Sequence, residues 1–339
     1  MSSIGAEEQP QSGDALSQTA IRRLMEQSDF LTLEQRLGKG LLAKRMQAQL
    51  RISAAAYGQG MGGWHWENLS LIPTLLDLGL TLLCLKKRGL RNTIDFRVEE
   101  NLVAFTDLPA AFDGLRILHL SDLHIDGMPD GGTKLVALVE KLHFDLCVVT
   151  GDFRFKTTRD YSETLSRMER LLPHLACQHG VYGILGNHDF IEKVPDLERF
   201  GLRMLLNESL PIHREEETLY LVGIDDPHFY GTHDFVAAYT GVPVEGFKVL
   251  LAHSPEVIPE AVANQTHLYL SGHTHGGQIC LPGEIPILTN CASQRRYIAG
   301  RWQAEGMSGY TSRGTGSSSY PARFFCRPEI TVHQLSRRS

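Results

Sequence analysis

Leu115-Arg116-Ile117-Leu118-His119-Leu120-Ser121-Asp122-Leu123-His124 is a short apolar run that ends in two metal-binding side chains. The run suits a strand, Leu115 to Leu120, and open α/β sheets carry their sites just past their strand ends. The same grammar recurs down the chain. Gly151-Asp152 follows the run Leu146 to Thr150, and Gly186-Asn187-His188-Asp189 follows Val181 to Leu185. His253 follows Val249 to Ala252, and Gly272-His273-Thr274-His275-Gly276-Gly277 follows His267 to Leu270. A sixth candidate strand, Leu219 to Ile224, precedes the polar cluster Asp225, Asp226, His228 and His233, read as a loop beside the pocket or as ordinary solvated loop. Helical patterns at Lys134 to His143, Tyr161 to Leu175 and Val257 to Ala263 separate the runs, which predicts a layered α/β domain.

Asp122 and His124 alternate, so an extended strand end points both to one side, where they grip one ion; His273 and His275 share a side in the same way. The glycines at 151, 186, 272, 276 and 277 suit turns and close backbone approach. Carboxylate, amide and imidazole together suit divalent transition metals, whereas an all-oxygen set suits magnesium or calcium. One Asp-x-His triplet arises readily by chance. Five blocks in one order, each at a strand end, do not.

The five blocks resemble the calcineurin-like metallophosphoesterase superfamily, whose pattern is Asp-x-His, Gly-Asp, Gly-Asn-His-Asp/Glu, His and Gly-His-x-His. The match runs from about Leu115 to the C-terminus. It includes Ser312-Arg313-Gly314-Thr315-Gly316 and Arg327-Pro328-Glu329-Ile330, similar to the bacterial subfamily named for the phosphodiesterases YaeI and YkuE. The resemblance implies a four-layer αββα sandwich and two divalent metal ions, manganese, iron or zinc, with manganese favoured. It assigns one ion to Asp122, His124, Asp152 and His275, and the other to Asp152, Asn187, His253 and His273, with Asp152 bridging. The implied reaction is hydrolysis of a phosphodiester or pyrophosphate bond by a hydroxide held between the ions. His188 is not a ligand in the family pattern and is expected to be the general acid.

In relatives of the Ser/Thr protein phosphatases a second Asp after Gly-Asp orients this histidine. Here the run is Gly151-Asp152-Phe153-Arg154-Phe155, which argues against a protein phosphatase. Asp189 and Asp126 are the candidate orienting groups. Arg154, Arg313, Arg323 and Arg327 are candidate phosphate contacts, with structural ion pairs as the alternative reading. Within the superfamily one relative acts as a UDP-2,3-diacylglucosamine pyrophosphatase in lipid A synthesis, and soluble phosphodiesters or nucleotides form the competing substrate class. A non-catalytic scaffold is the rival from another class; the intact ligand set and His188 argue against it.

Outward from the blocks, residues 1–18 are rich in Ser, Gln, Glu and Gly and are expected to be a disordered tail. Residues 19–90 are expected to be a helical extension and residues 91–339 the phosphoesterase domain. Leu69 to Leu85 is largely apolar and is followed by Lys86, Lys87 and Arg88, but it is short for a bilayer and is interrupted by Pro73 and Asp77. A helix docked on the protein's own core is the expectation. The alternative is peripheral contact of residues 69–88 with the inner membrane, the basic residues on anionic headgroups. Charged residues at 21% and a net charge of -6 describe a globular chain with no nucleic-acid footprint. The six cysteines form no Cys-x-x-Cys pair and the first thirty residues show no signal-peptide pattern, so a cytoplasmic protein with reduced thiols is expected.

Overall fold

The apolar runs become the inner strands of two six-stranded sheets. The first is ordered β1 (Arg97–Phe105), β14 (Glu329–Arg337), β2 (Arg116–Leu120), β3 (Leu146–Val149), β4 (Val181–Gly183) and β5 (Arg203–Met204). The second is ordered β12 (Gly300–Ala304), β13 (Met307–Thr311), β9 (Leu268–Ser271), β8 (Phe247–Leu251), β7 (Glu217–Gly223) and β6 (Glu208–Arg214). A two-stranded hairpin joins β10 (Cys280–Leu281) to β11 (Ile285–Pro286). The computed structural model describes residues 28–56, 71–155, 157, 160–289 and 291–338. The tail expected at 1–18 and the Gly-rich stretch at 57–63 lie outside them.

Period-two alternation explains the stacking. Ile117, Leu146 and Val148 of the first sheet meet Leu219, Leu221, Val249, Leu251, Leu268 and Leu270 of the second in one buried cluster. Neighbours one position on face away: Val222, Leu250 and Tyr269 pack with Ala238 of α8 (Phe235–Ala238) and with Ile258 and Ala261 of α9 (Ile258–Ala263). Leu118, Leu120, Cys147 and Val149 are fully buried on the far face of the first sheet. That is the side of α5 (Thr133–Val139), α6 (Ser162–Leu171) and α7 (Val194–Arg199), whose Leu135, Val139, Met168 and Leu197 are buried too. Each fully buried leucine or valine contributes about 1.5–3 kcal/mol. Helices therefore cover both outer faces, giving the expected αββα sandwich.

β2 to β5 run parallel, as do β7, β8, β9 and β13. Each set ends at one edge of its sheet, so the polar blocks collect there. β14 is wedged between β1, to which it is parallel, and β2, to which it is antiparallel. β1, β6, β12, β13 and β14 lie outside the strands that the apolar runs predict. Their faces are mixed: along β1 Asn101 and Phe105 are the buried positions, and β14 buries Thr331 and His333 among its apolar residues.

Residues 1–63 and 64–339 form two compact units. In the first, α1 (Ser28–Leu37) and α2 (Lys39–Ala56) turn at Gly38, whose φ of 82° is left-handed, and they bury Leu33, Leu37 and Leu42. The second unit contains α3 (Leu71–Leu82) and α4 (Lys86–Asn92) together with the sandwich. α3 leaves Leu75, Leu78 and Leu82 exposed on one side, while Leu76 and Leu80 are half-buried on the other. Its attachment is polar. Asp77, read in the sequence as an interruption of an apolar segment, accepts a hydrogen bond from Tyr320 Oη at 2.7 Å and pairs with Lys86.

Candidate metal centre

Every block lands just past its strand. Asp122 (φ 49°), His124 (39°), Asp152 (56°), His273 (69°) and His275 (50°) all adopt the left-handed region. The extended alternation expected for the two pairs is thus replaced by turns. Main-chain bonds enforce them, Asp122 N–H donating to Gly151 C=O and His124 N–H to Asp152 C=O. Such conformations cost on the order of 1–3 kcal/mol each and persist where the surroundings over-determine them. Glycine supplies the room. A Cβ at Gly186 would lie 2.3 Å from Asp152 Oδ1, and one at Gly272 2.2 Å from Asp122 Oδ2.

Three overlapping groups have ligand atoms within 4.8 Å of one another: Asp122, His124 and His275; His124, Asp152 and His188; Asp122, Asp152 and His253. Asp152 Oδ2 lies 3.7 Å from His124 Nε2 and 3.4 Å from His253 Nε2, and Asp122 Oδ1 lies 3.5 Å from His275 Nε2. Asn187 Oδ1 is 2.9 Å from both His253 Nε2 and His273 Nδ1. His124 Nδ1–H donates to the Arg154 carbonyl and His253 Nδ1–H to the Thr150 carbonyl, so the Nε2 of each is turned to the site. Burial pushes His124 down to about 4 and His275 well below the ordinary range, leaving the neutral imidazoles that bind metals. Burial opposes charge on Asp152 and His253 too, yet each holds the other charged: the carboxyl falls well below its usual range and the imidazole rises well above. This mixed, buried oxygen and nitrogen donor set fits divalent transition metals.

Behind Asp122 runs a buried chain of polar groups. Ser121 Oγ–H donates to Asp122 Oδ2 (2.6 Å), Thr150 Oγ1–H to Ser121 Oγ (2.7 Å), and His119 Nε2–H to Thr150 Oγ1 (2.9 Å). His333 Nε2–H then donates to His119 Nδ1 (3.2 Å), and Asn101 Nδ2–H to His333 Nδ1 (2.7 Å). A carboxylate can only accept, so every donor in the chain must point toward Asp122. Burial holds His119 down at about 3 and His333 well below its ordinary range, so both rings are neutral links. His273 N–H also donates to Asp122 Oδ2, at 2.9 Å.

His188 is oriented by a main-chain group: its Nδ1–H donates to Phe155 C=O at 3.1 Å, and Asp126 fixes that residue by accepting from Phe155 N–H at 2.7 Å. Asp126 therefore acts through Phe155. Asp189 does something else, accepting from the N–H groups of Asp152 (2.7 Å), Phe153 (3.0 Å) and Gly186 (2.9 Å) while paired with buried Lys193. It clamps two ligand loops together. Arg313 pairs with Glu329 and Glu284, Arg327 with Asp95, and buried Arg323 donates to the Arg313, Gly314 and Gly316 carbonyls. Arg154 is buried with its guanidinium 4.9 Å above the Phe190 ring.

Glu256 escaped the sequence reading of the site, whereas His228 belongs to the cluster read there as a loop beside the pocket or as ordinary solvated loop. The His228 ring lies 4.0 Å from that of His273, and its Nδ1 is held by Glu256 at 2.9 Å. The available signal for Glu256 was its place three residues past His253. A cavity of about 460 Å³ opens beside the cluster, with Asp152, Asn187, His188 and His273 on one wall and Leu76, Ile279, Ile287 and Leu288 among the apolar residues lining it.

Comparison with known proteins agrees with this geometry. The family model for calcineurin-like phosphoesterases matches residues 115–277, which hold all five blocks. The uncharacterized metallophosphoesterase YkoQ of Bacillus subtilis is 30% identical over 72% of this chain and 92% of its own length. Phosphodiesterase YaeI of Escherichia coli is 30% identical over 70% and 87%, and UDP-2,3-diacylglucosamine pyrophosphatase LpxG of Chlamydia muridarum 26% identical over 79% and 92%. With its ligand blocks, its sandwich and these relatives in agreement, the chain belongs to the calcineurin-like phosphoesterase family.

Proposed function

We propose that the protein hydrolyses a phosphodiester or pyrophosphate bond at a binuclear centre. One divalent cation is held by Asp122, His124, Asp152 and His275, the other by Asp152, Asn187, His253 and His273. The observation that carries this reading is the convergence of buried donors from five loops, in overlapping groups that share Asp152 and Asp122. Two such cations, manganese favoured by the oxygen and nitrogen donors, would supply a water of lowered pKa and offset charge on the phosphoryl group. Asp152 would be the carboxylate shared by both cations: its Oδ2 faces His124 and His253, while its Oδ1 accepts from His188 N–H at 2.8 Å. His188 is the general acid. With Nδ1–H committed to Phe155 C=O, the acid would be the imidazolium form, whose Nε2–H passes to the departing oxygen and leaves the neutral ring still bonded to Phe155.

The substrate reading is a nucleoside diphosphate linked to an acylated sugar, of the UDP-2,3-diacylglucosamine kind. The apolar lining of the cavity and the similarity to LpxG support it. The protein would work in the cytoplasm, in peripheral contact with the inner membrane through residues 69–88; six unpaired cysteines and the exposed leucines of α3 fit that placement. The test is hydrolysis by manganese-loaded protein of the UDP-lipid, of a bis-aryl phosphate and of a monoester. Turnover of the first above the second supports the lipid substrate, and the reverse favours a soluble phosphodiester or nucleotide. No turnover of any of the three returns the fold to a scaffold role.

A further inference from the structure

Fifteen large apolar side chains are strongly exposed among the described residues, and eight of them fall in two short segments. Leu75 (66%), Leu78 (55%), Leu82 (75%) and Leu83 (68%) lie on or just past α3; Leu281, Ile285, Ile287 and Leu288 lie on the β10/β11 hairpin and the residues after it. The two segments are far apart in sequence but share the same cavity, Leu76 lining it from α3 and Ile287 and Leu288 from the other segment. Scattered exposed leucines need no explanation, but an apolar rim around one opening does.

The rim is built, not loose. Asp77 holds α3 through Tyr320 and Lys86, and Glu284 at the hairpin turn is paired with Arg313 and Arg97. Leu75, Leu78 and Leu82 recur at helical spacing on one face, and Lys87, Arg88 and Arg91 follow, all exposed. An apolar helical face beside basic residues is the pattern of a helix lying in a membrane interface. Among the described residues no helix is long and apolar enough to cross a membrane.

We propose that α3 and residues 281–288 together form a docking rim for an anionic lipid bilayer, seating the mouth of the cavity on the leaflet so that an amphiphilic phosphoester passes from the bilayer to the metal centre. The proposal rests on the hydrolytic reading for its last clause and on the surface alone for the rest. Charge decides the occupant: Lys87, Arg88 and Arg91, exposed on the helix that follows the apolar face, complement acidic headgroups, and the cavity lined by Leu76 of α3 leads to the proposed phosphoryl site.

The test uses the full chain, manganese-loaded, with phosphatidylcholine vesicles with and without phosphatidylglycerol. Flotation with the anionic vesicles that weakens with salt is expected. Leu78→Asp/Leu82→Asp and, separately, Leu281→Asp/Ile285→Asp should each lower the bound fraction roughly tenfold or more. Both pairs should keep the parent rate on a soluble bis-aryl phosphate, which also reports that they fold. Lys87→Ala/Arg88→Ala should remove the preference for anionic vesicles. Flotation of both leucine and hairpin pairs at the parent level overturns the proposal, as does a parent chain that ignores vesicles and dimerises through this face instead. A parent that floats but hydrolyses no ester upholds the rim and removes the hydrolytic reading, so the two failures are distinguishable.

Discussion

Asp152 is where the two halves of the site depend on one side chain, since its carboxylate faces both His124 and His253. Asp152→Asn removes the charge that would hold both proposed cations and should abolish turnover together with most manganese binding, read by calorimetry. Full binding in that variant would remove Asp152 as the bridge. His188→Ala should leave the metal content unchanged, lose turnover on alkyl esters by roughly 10²–10⁴-fold, and lose much less on esters with acidic leaving groups. Equal losses on both classes would count against proton transfer. The candidate ligands stood out because Asp, Asn and His break apolar runs at their ends, where burial without a partner is costly. The orienting group of His188 was not legible, because it is the Phe155 main-chain carbonyl, which has no letter; of the candidates Asp189 and Asp126, Asp126 acts on it by accepting from Phe155 N–H.

At the scale of elements, the loops after β3 and β4 are one structure, because Asp189 accepts three N–H groups across them and pairs with Lys193. Asp189→Ala leaves that lysine buried and unpaired and should lower stability by about 3–5 kcal/mol, read as a shift in the urea midpoint; a midpoint unchanged from the parent would deny the clamp. The chain from Asn101 to Asp122 ties β1, β14 and β2 to a candidate ligand in the same way. His333→Leu removes the donor to His119 Nδ1 and should weaken manganese binding about tenfold or more, with a changed manganese spectrum. An identical spectrum and affinity would make the chain purely structural. The central strands were readable from their continuous apolar runs; β1 and β14 were not, since their buried positions include Asn101, Thr331 and His333, which look like surface residues until their partners are known.

At the scale of the whole molecule, the candidate ligands come from both sheets, Asp122, His124, Asp152 and Asn187 from the first and His253, His273 and His275 from the second. Cations held between them should therefore stabilise the unit of residues 64–339 as a body. At a concentration 100-fold above Kd a bound cation adds about 2.7 kcal/mol, so a chelator should lower the urea midpoint and manganese should restore it. A midpoint indifferent to chelation would place the cation elsewhere. The layered class of this unit followed from alternating strand and helix patterns. The standing of α3 did not, because its apolar face reads the same in a sequence whether protein or lipid covers it.

The wedge made by β14 bears on how the chain reaches this state. Its His333 contacts Asn101 and His119 across 232 and 214 residues of sequence. Among the described residues β1 has no other neighbour in its sheet, so until Glu329–Arg337 slots in, that edge strand lacks its partner there and the polar chain behind Asp122 lacks its far half. Contacts of such separation must wait for the closure of a very long loop, and domains dominated by them fold slowly. The competence to hold metal at Asp122 should accordingly be among the last properties to appear in a refolding time course, lagging the collapse of the remaining strands.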